Sequence, residues 1–229
     1  MPNRPTDVMI FAAGFGTRMR PLTDTLPKPL IQIGDTTLLD HTMGLATAAG
    51  LDVPIVNAHY LSDQISAHLS EHAETAVIHE NPILDTGGGL KNAASRLSGD
   101  FAITTNSDNI WNGPNPFTTA LSAWQPSMPA CLLCAKTENT VGRIGPGDFS
   151  IDGDGKLTRG GDYVFLGVQI IDKTLVTAIP DEVFSMNRVW DVLIAQGSLF
   201  GAVYDGTWCD VGKPENIPLA QRVLNGENV

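Results

Sequence analysis

Three cations and two glycines fall within one short stretch of this chain, and residues of those types at that spacing can hold a polyphosphate. Val8-Met9-Ile10-Phe11-Ala12-Ala13 is an apolar run long enough for one buried strand, and it ends at Gly14. Gly14 and Gly16 bracket Phe15, and Thr17, Arg18 and Arg20 follow. Glycines let the backbone take positive φ and bring its N–H groups close to a ligand. Successive N–H groups in such a turn form an anion-binding concavity. Lys28 stands between Pro27 and Pro29, whose rings fix their own φ and push the preceding residue into an extended conformation. Arg18, Arg20 and Lys28 are three of only fourteen basic residues in the chain, so the positive charge is concentrated here. A strand followed by Gly-x-Gly also opens a dinucleotide fold, but Met19 stands where that fingerprint needs its third glycine.

Two further stretches carry chemistry. Phe101 to Thr105 reads as a strand running into Asn106-Ser107-Asp108. An aspartate just past a parallel strand suits a hard, oxygen-seeking cation such as Mg2+; a turn or a helix cap fits the same residue. Glu80 to Asn92 reads ENPILDTGGGLKN, with Asp85 and Thr86 as helix N-caps. Three successive glycines weaken a helix by roughly 1 kcal/mol each relative to alanine, so something must offset them. A side-chain-free platform for a flat nucleobase, beside exposed helix N–H groups, is one reading; a flexible turn is the other.

The elements that must position these residues follow from the hydrophobic periodicity. Helices are predicted over 37–49, 61–69, 90–97, 184–196 and 214–224, with a short one between Trp111 and Trp124 after a loop. Strands are predicted over 53–56, 75–78, 101–105, 130–135, 163–171 and 199–204, and a hairpin pairs 149–151 with 156–158 around Asp152-Gly153-Asp154-Gly155. Gly167 within its strand marks a close approach of backbone or ligand. Strands alternating with helices imply right-handed βαβ units, and ligands then gather at the carboxyl ends of the strands. Together these predict one α/β domain over 1–229, a Rossmann-like three-layer α/β/α fold with a mainly parallel sheet and a loose N-terminus over 1–6. His59, between the second strand and its helix, reads as a structural hydrogen-bonding residue before it reads as a ligand contact.

Charge and cysteine content exclude other classes. A net charge of −11 over 229 residues argues against nucleic acid or an anionic membrane as partner. An acidic protein that takes phosphorylated ligands must gather cations or metal where they bind. Three cysteines give no even disulfide framework, so reduced thiols in a cytoplasm are the expectation. Cys131 and Cys134 fall on a predicted strand, where residues three apart face opposite sides, so core packing is expected of them.

Taken whole, Ala-Ala-Gly-x-Gly-Thr-Arg-Met-x-Pro-Leu-Thr followed by Pro-Lys-Pro resembles the signature of the sugar-1-phosphate nucleotidylyltransferases. Leu84-Asp85-Thr86-Gly87-Gly88-Gly89-Leu90 is similar to the base-binding segment of the branch acting on N-acetylmuramate 1-phosphate with UTP, where Asp85 is commonly glutamate. Asn106-Ser107-Asp108 resembles the family's Asn-Gly-Asp, with serine for glycine, and Trp208-Cys209-Asp210-Val211-Gly212 resembles its Trp-x-Asp-Val-Gly. The resemblance runs from Met9 to about Leu224. It implies Mg2+-dependent transfer of a nucleoside monophosphate from a nucleoside triphosphate to a sugar 1-phosphate, with Asp108 and Asp210 as metal ligands. It also implies that Ala13, Gly14, Gly16 and Thr17 hold the triphosphate together with the catalytic Arg18 and Lys28. Glu80, Gly88 and Asn106 match nucleoside contacts, and Asp148 and Gly167 match sugar contacts. Arg143 and Arg159 are candidate cations for the lactyl carboxylate of N-acetylmuramate. UTP with N-acetylmuramate 1-phosphate, as in peptidoglycan recycling, is the first expectation and GTP with mannose 1-phosphate the second. A non-catalytic nucleotide-sugar sensor is the alternative outside enzymes, and the oligomeric state is open.

Overall fold

A computed structural model describes residues 4–72 and 74–227 of the chain. In order, the elements are β1 (Asp7–Phe11), the two-residue strands β2 (Gln32–Ile33) and β3 (Thr36–Thr37), α1 (Leu38–Ala48), β4 (Asp52–Ala58), α2 (Ser62–His68), β5 (Ala76–His79), α3 (Asp85–Ala93), β6 (Phe101–Asn106), β7 (Asn109–Asn112) and α4 (Pro116–Ala123). There follow β8 (Ala130–Lys136), β9 (Thr140–Val141), β10 (Phe149–Ile151), β11 (Leu157–Arg159), β12 (Tyr163–Asp172), α5 (Thr174–Thr177), α6 (Asn187–Ala195), β13 (Leu199–Val203), β14 (Thr207–Asp210) and α7 (Asn216–Leu224).

Nine strands form the main sheet, in the order β11-β10-β12-β6-β1-β4-β5 with β8 and β13 branching beyond β12. The half containing β5, β4, β1 and β6 is parallel, whereas β12 runs antiparallel to both β6 and β8. Alternation along the strands sends apolar side chains to both faces, as the two-residue period requires. On one face Val8, Ile10 and Ile103 pack with Leu39 and Met43 of α1, Ile65 of α2 and Phe117 of α4. On the other, Met9, Ile55 and Ala102 pack with Leu90 of α3, Val176 of α5 and Trp190 of α6. The result is a three-layer α/β/α molecule. A second sheet, β7-β14-β9, with α7 against it, encloses its own cluster around Ile110, Cys209, Val211 and Val223. None of the helices of the described residues is long and apolar enough to cross a membrane.

Most of the predicted elements are present. Thr37 caps α1 by accepting from the Asp40 N–H, and Asn115 caps α4 by accepting from Phe117 and Thr118. Cys131 and Cys134 pack on opposite faces of the sheet as unpaired thiols. The hairpin turn closes with the Asp152 carboxylate accepting from Asp154 and Lys156. Of the loose N-terminus expected over 1–6, residues 1–3 lie outside the described residues; Thr6 is tied by its carbonyl to the Asp52 N–H at 3.0 Å.

Three expectations are corrected. Lys28 does not extend between its prolines but heads a 3-10 turn, Lys28–Leu30, closed by the Ile31 N–H on its own carbonyl. The expected loop after Trp111 is preceded by β7, and β14 had not been foreseen; both are four-residue strands rich in polar and aromatic residues, with no clean alternation to betray them. The glycines at 87–89 are not an open platform. The N–H groups of Gly87 and Gly88 both donate to the Phe184 carbonyl at 3.0 Å. A Cβ on Gly87 would meet the Phe184 ring at 2.3 Å, and one on Gly88 the Glu182 carbonyl oxygen at 2.0 Å. The missing side chains let residues 182–184 lie directly on α3, which also delays the start of α6 to Asn187.

Close packing of backbone on backbone makes a specific demand on stability. Gly88→Ala should lower unfolding free energy by about 1–3 kcal/mol, the cost of an overpacked contact. Gly44→Ala, at an exposed position of α1 with nothing within 4 Å of the new Cβ, should raise it by about 0.8–1 kcal/mol through helix propensity. Denaturant unfolding of both variants checks the pair, and equal effects of one sign would contradict the packing account.

Candidate active site

Sequence places the functional residues at strand ends, and the parallel half of the sheet brings those ends together. The carboxyl ends of β1, β4 and β6, with the segment after β5, border a cleft of about 340 Å³. Ala13, Gly14, Gly16 and Thr17 line one side with Arg18 and Lys28. Gly16 holds φ +62° and caps the 3-10 turn Thr17–Met19, so the chain can double back toward Lys28. The Thr23 hydroxyl donates to the Gly16 carbonyl at 2.8 Å and fixes that turn. Arg18 makes no hydrogen bond or ion pair among the described residues and lies open at the rim. It is a cation available to an anionic ligand.

Across the cleft, Glu80 is 4% exposed and carries two hydrogen bonds. Its Oε1 accepts from Asn57 Nδ2 at 2.7 Å and its Oε2 from the Leu84 N–H at 3.0 Å. Asn57 in turn accepts from the Ala12 N–H at 2.8 Å. A buried carboxylate needs such donors, and here they lock the wall at Glu80 to the start of the glycine loop. Nothing in the sequence around Asn57 marks it; the register of β1 with β4 sets it opposite Phe11, where its Oδ1 reaches the Ala12 N–H. Asp85 and Thr86 also line the cleft. Asp85 holds φ +61° without being glycine, and its carboxylate accepts from the Thr86 N–H at 2.6 Å. Gly88, by contrast, lies on the side of α3 packed against Glu182 and does not line the cleft.

Asn106, Ser107 and Asp108 form the floor at the end of β6. Ser107, where a glycine was expected by resemblance, is buried and donates to the Phe11 carbonyl at 2.8 Å, tying β6 to β1. Lys28 Nζ donates to Asp108 Oδ2 at 2.5 Å. Asp210 ends β14, whose register places it opposite Asn109, and the Val211 N–H donates to the Asp108 carbonyl at 3.0 Å. The two aspartates are therefore neighbours. Burial pushes the Asp210 carboxyl above the usual carboxylate range and the charge of Asp108 pushes it further, against the pull of Lys28, Arg18 and Arg143. Asp210 is not itself in the cleft lining, but Gly212 is, and a Cβ there would sit 2.7 Å from Asp210 Oδ2 and 3.2 Å from Arg18 Nη1.

Two adjacent carboxylates present only oxygen donors, the kind a hard divalent cation takes. Among the described residues no group of three or more His, Cys, Asp or Glu could enclose an ion. Two carboxylates alone would leave most of a cation's coordination to ligand oxygens and water.

The remaining residues sit to one side. Arg143 forks onto both oxygens of Asp148 at 2.7 and 2.8 Å, and the Phe165 N–H donates to the same carboxylate at 3.0 Å. Burial alone would raise Asp148, but Arg143 and that N–H outweigh it and hold the carboxyl below its ordinary value. Gly167, φ +91°, forms a bulge in β12 that brings its backbone against Asn106 and Asn109. Neither Asp148 nor Gly167 lines the 340 Å³ cleft. Arg159 is engaged elsewhere: it bonds Asp191 and Asn187 and lies over the Phe149 ring. Of the two arginines proposed for a carboxylate, Arg143 is the one whose charge acts on Asp210.

A family model described as "Nucleotidyl transferase" matches residues 7–140. The chain is 34% identical to the N-acetylmuramate alpha-1-phosphate uridylyltransferase of Caulobacter vibrioides, over 94% of this chain and 95% of that one. It is 26% identical to a mannose-1-phosphate guanylyltransferase of Mycobacterium tuberculosis, over 94% of this chain and 64% of that one. HddC from Yersinia pseudotuberculosis, solved in complex with GMP-PN, superposes with a TM-score of 0.77 over 95% of this chain and 98% of its own at 23% identity, and so shares the fold. With these likenesses added to a glycine loop, a free arginine and a paired lysine around one cleft, the chain belongs to the nucleotidyl transferase family, as an enzyme of the sugar-1-phosphate nucleotidylyltransferase group.

Proposed function

We propose that this protein is a Mg2+-dependent uridylyltransferase that joins the uridine monophosphate part of UTP to N-acetylmuramate 1-phosphate. A phosphate oxygen of the sugar 1-phosphate attacks the α-phosphorus of UTP, the bond to the bridging oxygen breaks, and pyrophosphate leaves with the electron pair. Both reactants are anions, so catalysis consists of positioning and charge neutralisation. In this reading Ala13, Gly14, Gly16 and Thr17 cradle the triphosphate, Arg18 meets the β- and γ-phosphates, and Lys28 meets the α-phosphate. Glu80 and Asn106 contact the nucleoside, while Asp148 and Gly167 border the sugar, with Arg143 the cation nearest its carboxylate. Asp108 and Asp210 would hold the Mg2+, which supplies positive charge against phosphate oxygens when bound. Three unpaired cysteines agree with a cytoplasmic setting.

The observation that carries this reading is the convergence of Lys28, Asp108 and the Gly14–Arg18 loop on one cleft in a chain that matches a uridylyltransferase along its length. The preference for UTP rests on that likeness and on the segment Leu84–Gly89, not on the glycines as a base platform. Guanylyl transfer to mannose 1-phosphate is the second reading, favoured by the match to the mycobacterial relative.

Three expected outcomes follow from these assignments. EDTA should abolish turnover and added Mg2+ restore it, and Asp108→Asn or Asp210→Asn should slow kcat by at least ~10²-fold, the scale of losing a fixed electrostatic contact. Full turnover in EDTA would remove the two-aspartate centre. Lys28→Ala should lower kcat more than it raises KM for nucleotide, because only contacts strengthened in the transition state change kcat; a KM effect alone would reassign Lys28 to ground-state binding. In a pyrophosphate-release assay pairing UTP or GTP with N-acetylmuramate 1-phosphate or mannose 1-phosphate, UTP with N-acetylmuramate 1-phosphate should give the highest kcat/KM. A site that hydrogen-bonds one base edge can reject another by ~10⁴-fold. A higher value for GTP with mannose 1-phosphate would establish the second reading instead.

A further inference from the structure

Phe15 sits between the two glycines of the phosphate loop and is 47% exposed, yet it does not line the cleft that Gly14 and Gly16 border. Its ring turns the other way. It stands edge-on to His59, with centroids 5.2 Å apart at 88°, and tilts against Tyr60 at 5.8 Å. His59 Nδ1 lies 2.8 Å from the Glu80 carbonyl oxygen. A carbonyl only accepts, so Nδ1 carries the proton. Tyr60 grips the same loop further on: its hydroxyl donates to the Thr23 carbonyl at 2.8 Å, and Thr23 holds the Gly16 carbonyl.

We propose that His59 is a positioning residue that couples the two halves of the nucleotide site, the phosphate loop through Phe15 and the nucleoside wall through the backbone of Glu80. The proposal rests on the reading of the cleft as a nucleotide site and adds to it how the halves are held in register. The physical reason is preorganisation. A loop with glycine on either side of Phe15 has many conformations to lose when a triphosphate orders it, and a contact that selects the binding conformation in advance lowers that cost. Asn57 makes the buried half of the same connection, from the Ala12 N–H to the Glu80 carboxylate. His59 makes the half-buried half, and its two contacts use different parts of one ring, so substitution can separate them.

The test is steady-state kinetics with UTP and with GTP, Mg2+ and N-acetylmuramate 1-phosphate, alongside thermal unfolding, for the wild type, His59→Asn, His59→Phe, Phe15→Ala and Phe15→Ala/His59→Asn. His59→Asn keeps an N–H for Glu80 but loses the ring. It should raise KM for both nucleotides alike by about fivefold, within the span expected of one edge-to-face aromatic pair, and leave the UTP-to-GTP ratio of kcat/KM unchanged. Phe15→Ala should reproduce it, and the double variant should be no worse than either single one, as for residues acting through one contact. His59→Phe keeps the ring and loses the N–H, so it should change the UTP-to-GTP ratio at least threefold. Wild-type KM and ratio in every variant, with only the melting temperature lowered, would make His59 a space-filling residue and overturn the proposal. Additive effects in the double variant would overturn it as well. A wild type that turns over neither nucleotide would instead fail the uridylyltransferase reading on which the proposal stands.

Discussion

Asp108, in the bend just before β7, and Asp210, at the end of β14 paired with β7, are held side by side, and much of the rest of the site answers the cost of burying Asp210 beside a second carboxylate. Burial and the neighbouring charge both act against ionisation of Asp210. Lys28 answers from the 3-10 turn, bonded to Asp108 with its side chain 12% exposed, and Arg18 and Arg143 answer from farther away. In a chain whose net charge is −11, this local balance cannot come from the surface at large. It comes from three cations placed by three separate segments: the glycine loop, the Pro27–Pro29 turn and the loop after β9. Lys28 is engaged by Asp108 and Arg143 by Asp148, whereas Arg18 makes no such pair among the described residues and stands open at the rim.

The fold supplies the positions. Four parallel strands end on one edge of the cleft, and their ends are cross-linked by side chains rather than by ladder bonds alone. Ser107 ties β6 to β1, Asn57 ties β4 to β1, and Glu80 ties the segment after β5 to both Asn57 and Leu84. The small sheet β7-β14-β9 then carries Asp210 in from the far end of the chain, with α7 packed behind it. A cleft assembled this way has a rigid floor and a glycine-rich rim, which suits binding sites that must be both accurate and open to ligand.

Part of this was legible in the sequence: the glycine loop and Lys28 stand out by residue type and spacing and Asp108 by its place after a strand, whereas Glu80 and Asn106 were named by resemblance. What the sequence could not show was pairing across distance. Asn57 looks like any polar residue near a strand end until the register of β1 with β4 sets it opposite Phe11, within reach of the Ala12 N–H. β7 and β14 are short and lack alternation, so the second sheet was missed although its aspartate was found by resemblance. Asp148 and Gly167 were named as sugar contacts, but their geometry shows first an Arg143 fork and a bulge against Asn106. Arg159 was named for charge alone, and its charge is already taken by Asp191.

The triple glycine shows where a correct local argument led to the wrong neighbour. Three glycines in a helix do demand compensation, and the expected compensation was a nucleobase lying on their bare surface. The structure supplies a protein segment instead: Glu182 to Phe184 lies where the side chains would be, and Gly89 leaves room for Glu80 and Asn57. The glycines therefore act on the cleft at one remove. They allow α3 to sit low enough that its first residues, Asp85 and Thr86, reach the cleft while Glu80 stays buried against Asn57. In the function proposed above, discrimination between bases rests on what this packing presents to the cleft, the Glu80 side chain held by Asn57 and Leu84 and the turn at Asp85.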